Sequence, residues 1–344
     1  MTTSTPPSAA PTLSSASRPS TAASKRLLGQ YFTTANPFHH PAFAAWWATC
    51  PQHGPALEPF AGADHIPALL RAAGHTRPFD SYDIAPAAEH VTARDTLADF
   101  PTGYATVVTN PPYLARHFAR RRGLDVDHLP WGRYTNLYQV ALDRCLTHAT
   151  HVAAIVPESF MTTGLFRERL TTVIALTTPM FADTDTPTCL ALFGPNETPD
   201  FDVWRGHTLA GTYTALSAAI PQVTPATARI TFNRLDGQIG LRAIDDTTGP
   251  TIGFVPAEDI DANRVKPSAR LVTRIHVDDL DQNAVPALLA SANTHLADYR
   301  ARTADVHLTA FKGLRTDAQF RRRIDYTTAR NLLALALLTA SRRR

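Results

Sequence analysis

The stretch that most restricts this chain is Thr106–Tyr113, TVVTNPPY, because it joins a buried-strand signal to a rigid polar turn. Thr106, Val107, Val108 and Thr109 are β-branched without a break, which favours a pleated, packed strand over a helix. Pro111 and Pro112 end that strand: each lacks an amide hydrogen, fixes its own φ and pushes the preceding residue out of the helical region. Asn110 therefore stands at the carboxyl end of a strand, its carboxamide and the neighbouring carbonyls held in a stiff extended turn. Tyr113 adds a flat aromatic face.

Those groups suit one chemical problem. The exocyclic amine of a purine is a poor nucleophile because its lone pair is delocalised into the ring, so a catalyst should accept hydrogen bonds from both of its N–H groups. The Asn110 side-chain oxygen and the Pro111 carbonyl are two acceptors within reach of one small donor, and preorganised dipoles of this kind stabilise developing charge. Tyr113 could stack on the base, which must leave a duplex for its amine to be reached. A strand followed by a proline turn is common, but NPPY arises by chance in about one chain in a thousand of this length.

The 344 residues allow two domains or one large one. With 44% hydrophobic and 18% charged residues, a sizeable core is expected and global disorder is excluded. Cys50, Cys145 and Cys189 are far apart and odd in number, so neither a disulfide framework nor zinc spacing follows, and a reducing compartment, the cytoplasm, is the simplest setting. No apolar run approaches the roughly 20 residues of a membrane span. Net charge is only +3, yet nine Lys or Arg lie between Lys312 and Arg344 against Asp317 and Asp325, and Arg116, Arg120, Arg121 and Arg122 follow the NPPY turn. Such clusters suit a phosphate backbone, or a solvated helix face or tail.

In chain order, residues 1–24 are rich in Ser, Thr, Ala and Pro without an apolar stretch and read as a disordered leader. HPAFAAWWATC reads as a helix with Phe43, Trp46 and Trp47 inward. A short strand ends in Glu58, turns over Pro59–Ala63 and leads into a helix running to Gly74, which places amides and a helix N-terminus at the edge of a parallel sheet, where nucleotide-like ligands bind. A second strand ends at Asp83, whose carboxylate can accept both ribose hydroxyls of an adenosine. After a short helix, Asp95 and Asp99 are two candidates to meet an adenine edge.

Beyond Tyr113, Leu137–Leu146 reads as a packed helix, HVAAIVPESF as a strand ending in Pro157, and Phe166–Leu170 as the start of another helix. VIALTTPMF and PTCLALFGP read as two strands that pair antiparallel at the end of the sheet. About seven strands, with helices between the first five, predict a doubly wound α/β domain over residues 25–200. From 201 to 344 a smaller α+β region is expected, with a hairpin at Asp236-Gly237, a strand in SARLVTRIHVDDL and helices over Val285–Leu296 and Thr327–Leu338.

The segments QYFT, LEPFAG, YDIAP, TNPPY and AIVPESF, in that order, resemble the amino-methylating DNA methyltransferases, above all the adenine-modifying group whose target-recognition region is C-terminal. The resemblance spans roughly residues 28–195 and implies a class I, Rossmann-like fold of seven strands, S-adenosylmethionine as cofactor, and hydrogen-bond activation of the adenine amine with no covalent intermediate. By position it implies that Gln30, Tyr31 and Thr33 lie along the methionine part of the cofactor, that Glu58, Phe60 and Gly62 form the cofactor turn, and that Asp83 holds the ribose. Asp95 fits the acid on the cofactor adenine better than Asp99, since Leu97 follows it. Asn110, Pro111, Pro112 and Tyr113 would hold the target base, with Phe181 as a second aromatic wall and Arg116 beside the DNA. Asp64 stands where the family's turn usually has a second glycine. The implied partner is double-stranded DNA, and a cognate restriction endonuclease is one candidate companion. A monomer is compatible with this reading. NPPY is also found in enzymes that methylate ribosomal RNA or a protein glutamine, which are the alternatives; the C-terminal region is the candidate DNA-recognition part.

Overall fold

The computed structural model describes residues 36–341, apart from 124, 128, 178, 181–185 and 223–228. The 1–24 segment, Gln30, Tyr31, Thr33 and Phe181 lie outside the described residues.

Fifteen strands are described. Nine of them form one sheet: β1 (Ala56–Glu58), β2 (Phe79–Asp83), β3 (Thr92–Ala93), β4 (Thr106–Thr109), β5 (His151–Pro157), β6 (Leu170–Ala175), β7 (Thr188–Phe193), β8 (Asp202–Arg205) and β9 (Thr208–Thr212), in the order β3-β2-β1-β4-β5-β7-β6-β8-β9. The first five pair parallel, β7 runs antiparallel to both β5 and β6, and β8 runs parallel to β6. The six strands read from the sequence, β1, β2, β4, β5, β6 and β7, are present, and the predicted β6–β7 pairing holds. That pair is not the end of the sheet: β8 and β9 continue it.

Both faces are covered, as alternation along the strands requires. Val107, Val152, Ala154 and Val156 pack against one helix, α4 (Leu137–His148), whose start is fixed by a reciprocal Asn136–Gln139 capping box. Val108, Ala153 and Ile155 face the other way, onto Phe43, Trp46 and Trp47 of α1 (Pro41–Thr49) and Ile66 and Leu70 of α2 (His65–Ala72). A short helix α3 (Arg116–Arg121) follows the NPPY turn. Helices do not join all of the first five strands. No helix separates Asp83 from Thr92, because that segment is drawn onto the turn after β1, the Ala87 amide donating to the Gly62 carbonyl at 2.9 Å. Nor does Phe166–Leu170 begin a helix: Phe166 sits at φ 57° and Leu170 already opens β6.

After α5 (Tyr213–Ala218), the remaining chain builds a four-stranded antiparallel sheet of β10 (Ile230–Phe232), β11 (Ile239–Arg242), β12 (Gly253–Pro256) and β13 (Val272–Val277), in the order β10-β13-β11-β12. It packs on α6 (Val285–Thr303) and α7 (Tyr326–Ser341), and a separate hairpin joins β14 (Thr309–Leu314) to β15 (Phe320–Arg323). Asp236-Gly237 is not a hairpin turn, since β10 and β11 pair with β13 and not with each other. A Cβ on Gly237 would lie 2.7 Å from the Ile275 backbone, so the glycine serves close approach to β13. No described helix is long and apolar enough to cross a membrane.

Candidate active site

The strand order changes direction between β1 and β4: from β1 the sheet grows one way through β2 and β3, and from β4 the other way. In open α/β sheets ligands bind in the crevice outside the carboxyl ends at such a switch point. Glu58 closes β1 and Asn110 follows β4, so the two most pointed sequence features flank that crevice.

Glu58 is fully buried. Its Oε1 accepts the Thr109 hydroxyl at 2.7 Å and the Phe60 amide at 3.0 Å, while Oε2 is buried without a hydrogen-bond partner. Burial pushes the Glu58 carboxyl well above the usual range; the bonds from Thr109 and Phe60 oppose this, and the charges of Asp64 and Asp83 add to it. Phe60 packs against the main core with its ring half-buried.

The turn from β1 into α2 is held by backbone donors and carboxylates. Gly62 sits at φ 54° and its amide donates to Asp83 Oδ2 at 2.8 Å; Asp83 Oδ1 accepts the Ala85 amide, also at 2.8 Å. Asp64 has φ 60° and ψ 39°, a left-handed conformation that Asp tolerates better than most side chains. Its carboxylate accepts Ser81 Oγ at 2.6 Å and lies 2.7 Å from His90 Nε2, which turns it toward β2 and its following loop. Ile84, directly after Asp83, is 65% exposed and presents an apolar face beside the carboxylate.

Asp95 and Asp99 differ in setting. Asp95 Oδ1 accepts the amides of Leu97 and Ala98 at 3.1 and 3.2 Å, and its neighbour Thr96 donates to the Pro59 carbonyl at 2.7 Å, which ties this loop to the turn after β1. Asp99 is 78% exposed and pairs with Arg94 at 2.8 Å.

Along the NPPY turn, Pro111 is buried and Asn110, Pro112 and Tyr113 are half-buried. Tyr113 Oη lies 2.7 Å from the Ile155 carbonyl and 2.9 Å from Asn110 Oδ1. A phenol has one proton, so it serves one of these acceptors at a time. The Tyr113 ring meets Tyr138 edge-on at 6.3 Å, which fixes the plane of its face.

Glu58, Phe60, Gly62, Asp83 and Asn110–Tyr113 thus gather at one sheet edge, with Asp95 bound to it through Thr96. Arg116 is drawn elsewhere: its Nη2 lies 3.5 Å from Asp127 and its guanidinium lies over the Trp131 ring. Thr109, which couples the two halves of the site, and Ile84 were not singled out by sequence. For Ile84 the available signal was an apolar residue placed directly after a strand-ending acid.

No protein-family model matches the chain, and no curated protein matches it. Among solved structures it is similar to the methyltransferase subunit of a type I restriction-modification system from Streptococcus thermophilus, at 16% identity and TM-score 0.38 over 57% of this chain and 50% of that one. It is similar to the M protein of the type I restriction enzyme EcoKI, at 16% identity and TM-score 0.34 over 45% of this chain and 44% of that one. The type IIG restriction endonuclease BpuSI aligns at 11% identity and TM-score 0.34 over 78% of this chain and 33% of that one. The chain spans half or less of the length of each of these proteins.

Proposed function

We propose that this chain transfers a methyl group from S-adenosylmethionine to the exocyclic amine of an adenine swung out of double-stranded DNA. The observation that carries the reading is the juxtaposition at the switch point: a buried carboxylate with an unpartnered oxygen, joined through Thr109 to the Asn110 turn. The donor set fits the cofactor, whose ammonium and sulfonium are cations. Glu58, with Asp64 and Asp83 close enough to raise its pKa, makes a locally acidic crevice suited to them. Phe60 and Gly62 would hold it at the turn, Asp83 would accept its ribose hydroxyls, Asp95 would meet its adenine edge, and Ile84 would offer an apolar contact. Gln30, Tyr31 and Thr33 would lie along its methionine part.

When bound, the sulfonium supplies an electrophilic methyl group. The chain's own work is to orient the amine and accept its protons' hydrogen bonds. Asn110 Oδ1 would accept one amine N–H and the Pro111 carbonyl the other, with the Tyr113 hydroxyl held by the Ile155 carbonyl. Tyr113, with Pro112 and Phe181, would complete the base contacts, and Arg116 would reach DNA only by leaving Asp127. The 201–344 region would be the DNA-recognition part, and a cognate restriction endonuclease in the cytoplasm the companion activity.

The test is Asn110→Ala with labelled cofactor offered to duplex DNA, ribosomal RNA and a glutamine-containing protein. We expect DNA labelling by the wild type and a loss of about 10²-fold or more in the variant, with cofactor affinity kept. Label entering RNA or protein in place of DNA rejects the substrate, and an active variant rejects the mechanism.

A further inference from the structure

Where α6 meets the end of β8, a cleft of about 620 Å³ is lined by Arg205, Arg300, Arg315 and Asp305 together with apolar groups including Ile252, Leu296 and Ala297. This volume is in the range of small-molecule sites. The charges around it do not balance. Arg205, Arg300, Arg315 and Arg322 are all at most 17% exposed, against three carboxylates, Glu158, Asp245 and Asp305, that are at most 19% exposed. The fourth acid, Asp317, is 46% exposed and so largely screened by solvent.

Of the four arginines, Arg205 is the least closely paired. Arg322 Nη1 donates to Glu158 Oε1 at 2.5 Å; Arg300 donates to Asp305 at 2.7 and 2.9 Å and reaches Asp245 at 3.3 Å; Arg315 donates to Asp245 at 2.9 Å. Arg205 Nη1 is buried without a hydrogen-bond partner: Glu158 Oε1, its ion-pair partner at 3.8 Å, is taken by Arg322, and Glu158 Oε2 is itself buried without a hydrogen bond to it. A buried guanidinium in this state is costly unless an anion completes it.

We propose that this cleft binds a small phosphomonoester carrying an apolar or planar group, its phosphate on Arg205 and its body against Ile252, Leu296 and Ala297. Arg205 suits this role because its planar fork matches phosphate oxygens. Burial, followed by the nearby charge of Arg322, holds the Arg205 guanidinium below its ordinary pKa, the strain that a bound dianion would relieve. The helix dipole opposes an anion near Ala304 at the end of α6, but Arg300 and Arg302 in that last turn offset it. Because β8 runs parallel to β5 and β4, Arg205 lies on the same carboxyl edge as Asn110, four strand positions and so roughly 19 Å away. Glu158, directly after β5, stands between them. The cleft is thus a second site on the edge that carries the candidate active site.

The test titrates the full chain with phenyl phosphate, inorganic phosphate and phenol by calorimetry, with neither methyl donor nor DNA present, so that it stands apart from the methyl-transfer proposal. We expect phenyl phosphate to bind more tightly than either fragment. Arg205→Gln should weaken it by about tenfold or more. Ala297→Phe, at an exposed position, should block it while leaving the far-ultraviolet spectrum and melting temperature unchanged. Absence of saturable phenyl phosphate binding, equal affinity for inorganic phosphate, or unchanged affinity in either variant overturns the proposal. Loss of duplex-DNA affinity in Arg205→Gln without any phenyl phosphate binding overturns it in favour of a backbone contact.

Discussion

Glu58 Oε1 accepts the Thr109 hydroxyl at 2.7 Å, so the last residue of β1 and the last residue of β4 are bound across the point where the sheet changes direction. Thr109 is the residue before Asn110, and the bond therefore sets the turn after β1 and the NPPY turn in one frame. The cost falls on Glu58, whose second oxygen is buried and unpartnered.

That cost makes a pH prediction. Burial raises the folded-state pKa of Glu58 above its unfolded value, so its contribution favours folding fully below the unfolded pKa, about 4.3, and is lost as pH rises through the raised value. Glu58→Gln removes the charge while keeping an acceptor for Thr109. Its melting temperature should match the wild type near pH 4 and exceed it at neutral pH. The same variant should lose S-adenosylmethionine affinity by about tenfold or more, because a charge-assisted contact is gone. Thermal melts across pH and a cofactor titration check both; a variant less stable at pH 7 than the wild type, or one with unchanged affinity, contradicts the assignment.

The strands that position this site were legible because they are buried on both faces. TVVT, HVAAIVP and TCLALF are near-continuous apolar or β-branched runs, and each became a strand within a residue or two of its expected bounds. The acids at Glu58 and Asp83 were legible for the same reason, since a carboxylate closing an apolar run marks a strand end. What periodicity did not carry were connections whose conformation depends on distant backbone. The segment after Asp83 holds no helix because Gly62 takes one of its amides, and Phe166 adopts a left-handed φ that no composition rule assigns to phenylalanine. Asp236-Gly237 misled because a glycine chosen for space has the same letter as one chosen for φ. The basic C-terminal cluster also reads differently in three dimensions: Arg315 and Arg322 turn inward onto Asp245 and Glu158, so their charge is spent on joining elements.

Ile84 gives a second prediction because it is exposed where exposure is hardest to justify structurally. At 65% accessibility, next to Asp83, it contributes little to the core of the free protein. Ile84→Ser should leave the melting temperature within a degree or two, as surface substitutions generally do. Cofactor affinity should fall by about tenfold, the effect of losing one apolar side chain's burial on binding. Calorimetric titration of the variant measures this, and unchanged affinity would place the cofactor's adenine away from the carboxyl end of β2.

Asp64 tests the turn itself. Its left-handed backbone, φ 60°, is one that glycine adopts freely, Asp and Asn tolerate, and alanine resists by roughly 1–2 kcal/mol. Its hydrogen bond from Ser81 at 2.6 Å adds a contribution of about 1 kcal/mol, whereas the contact with His90, a ring that is 68% exposed, adds little. Asp64→Asn should therefore be the mildest change, since it keeps both the tolerance and an acceptor for Ser81. Asp64→Gly should lose only the side-chain bond, and Asp64→Ala should lose the bond and the backbone tolerance together, for a total of roughly 2–3 kcal/mol. Urea unfolding of the three variants ranks them. If alanine proves as stable as glycine, the turn relaxes out of the left-handed region, and the reason an aspartate is tolerated at this position must lie elsewhere.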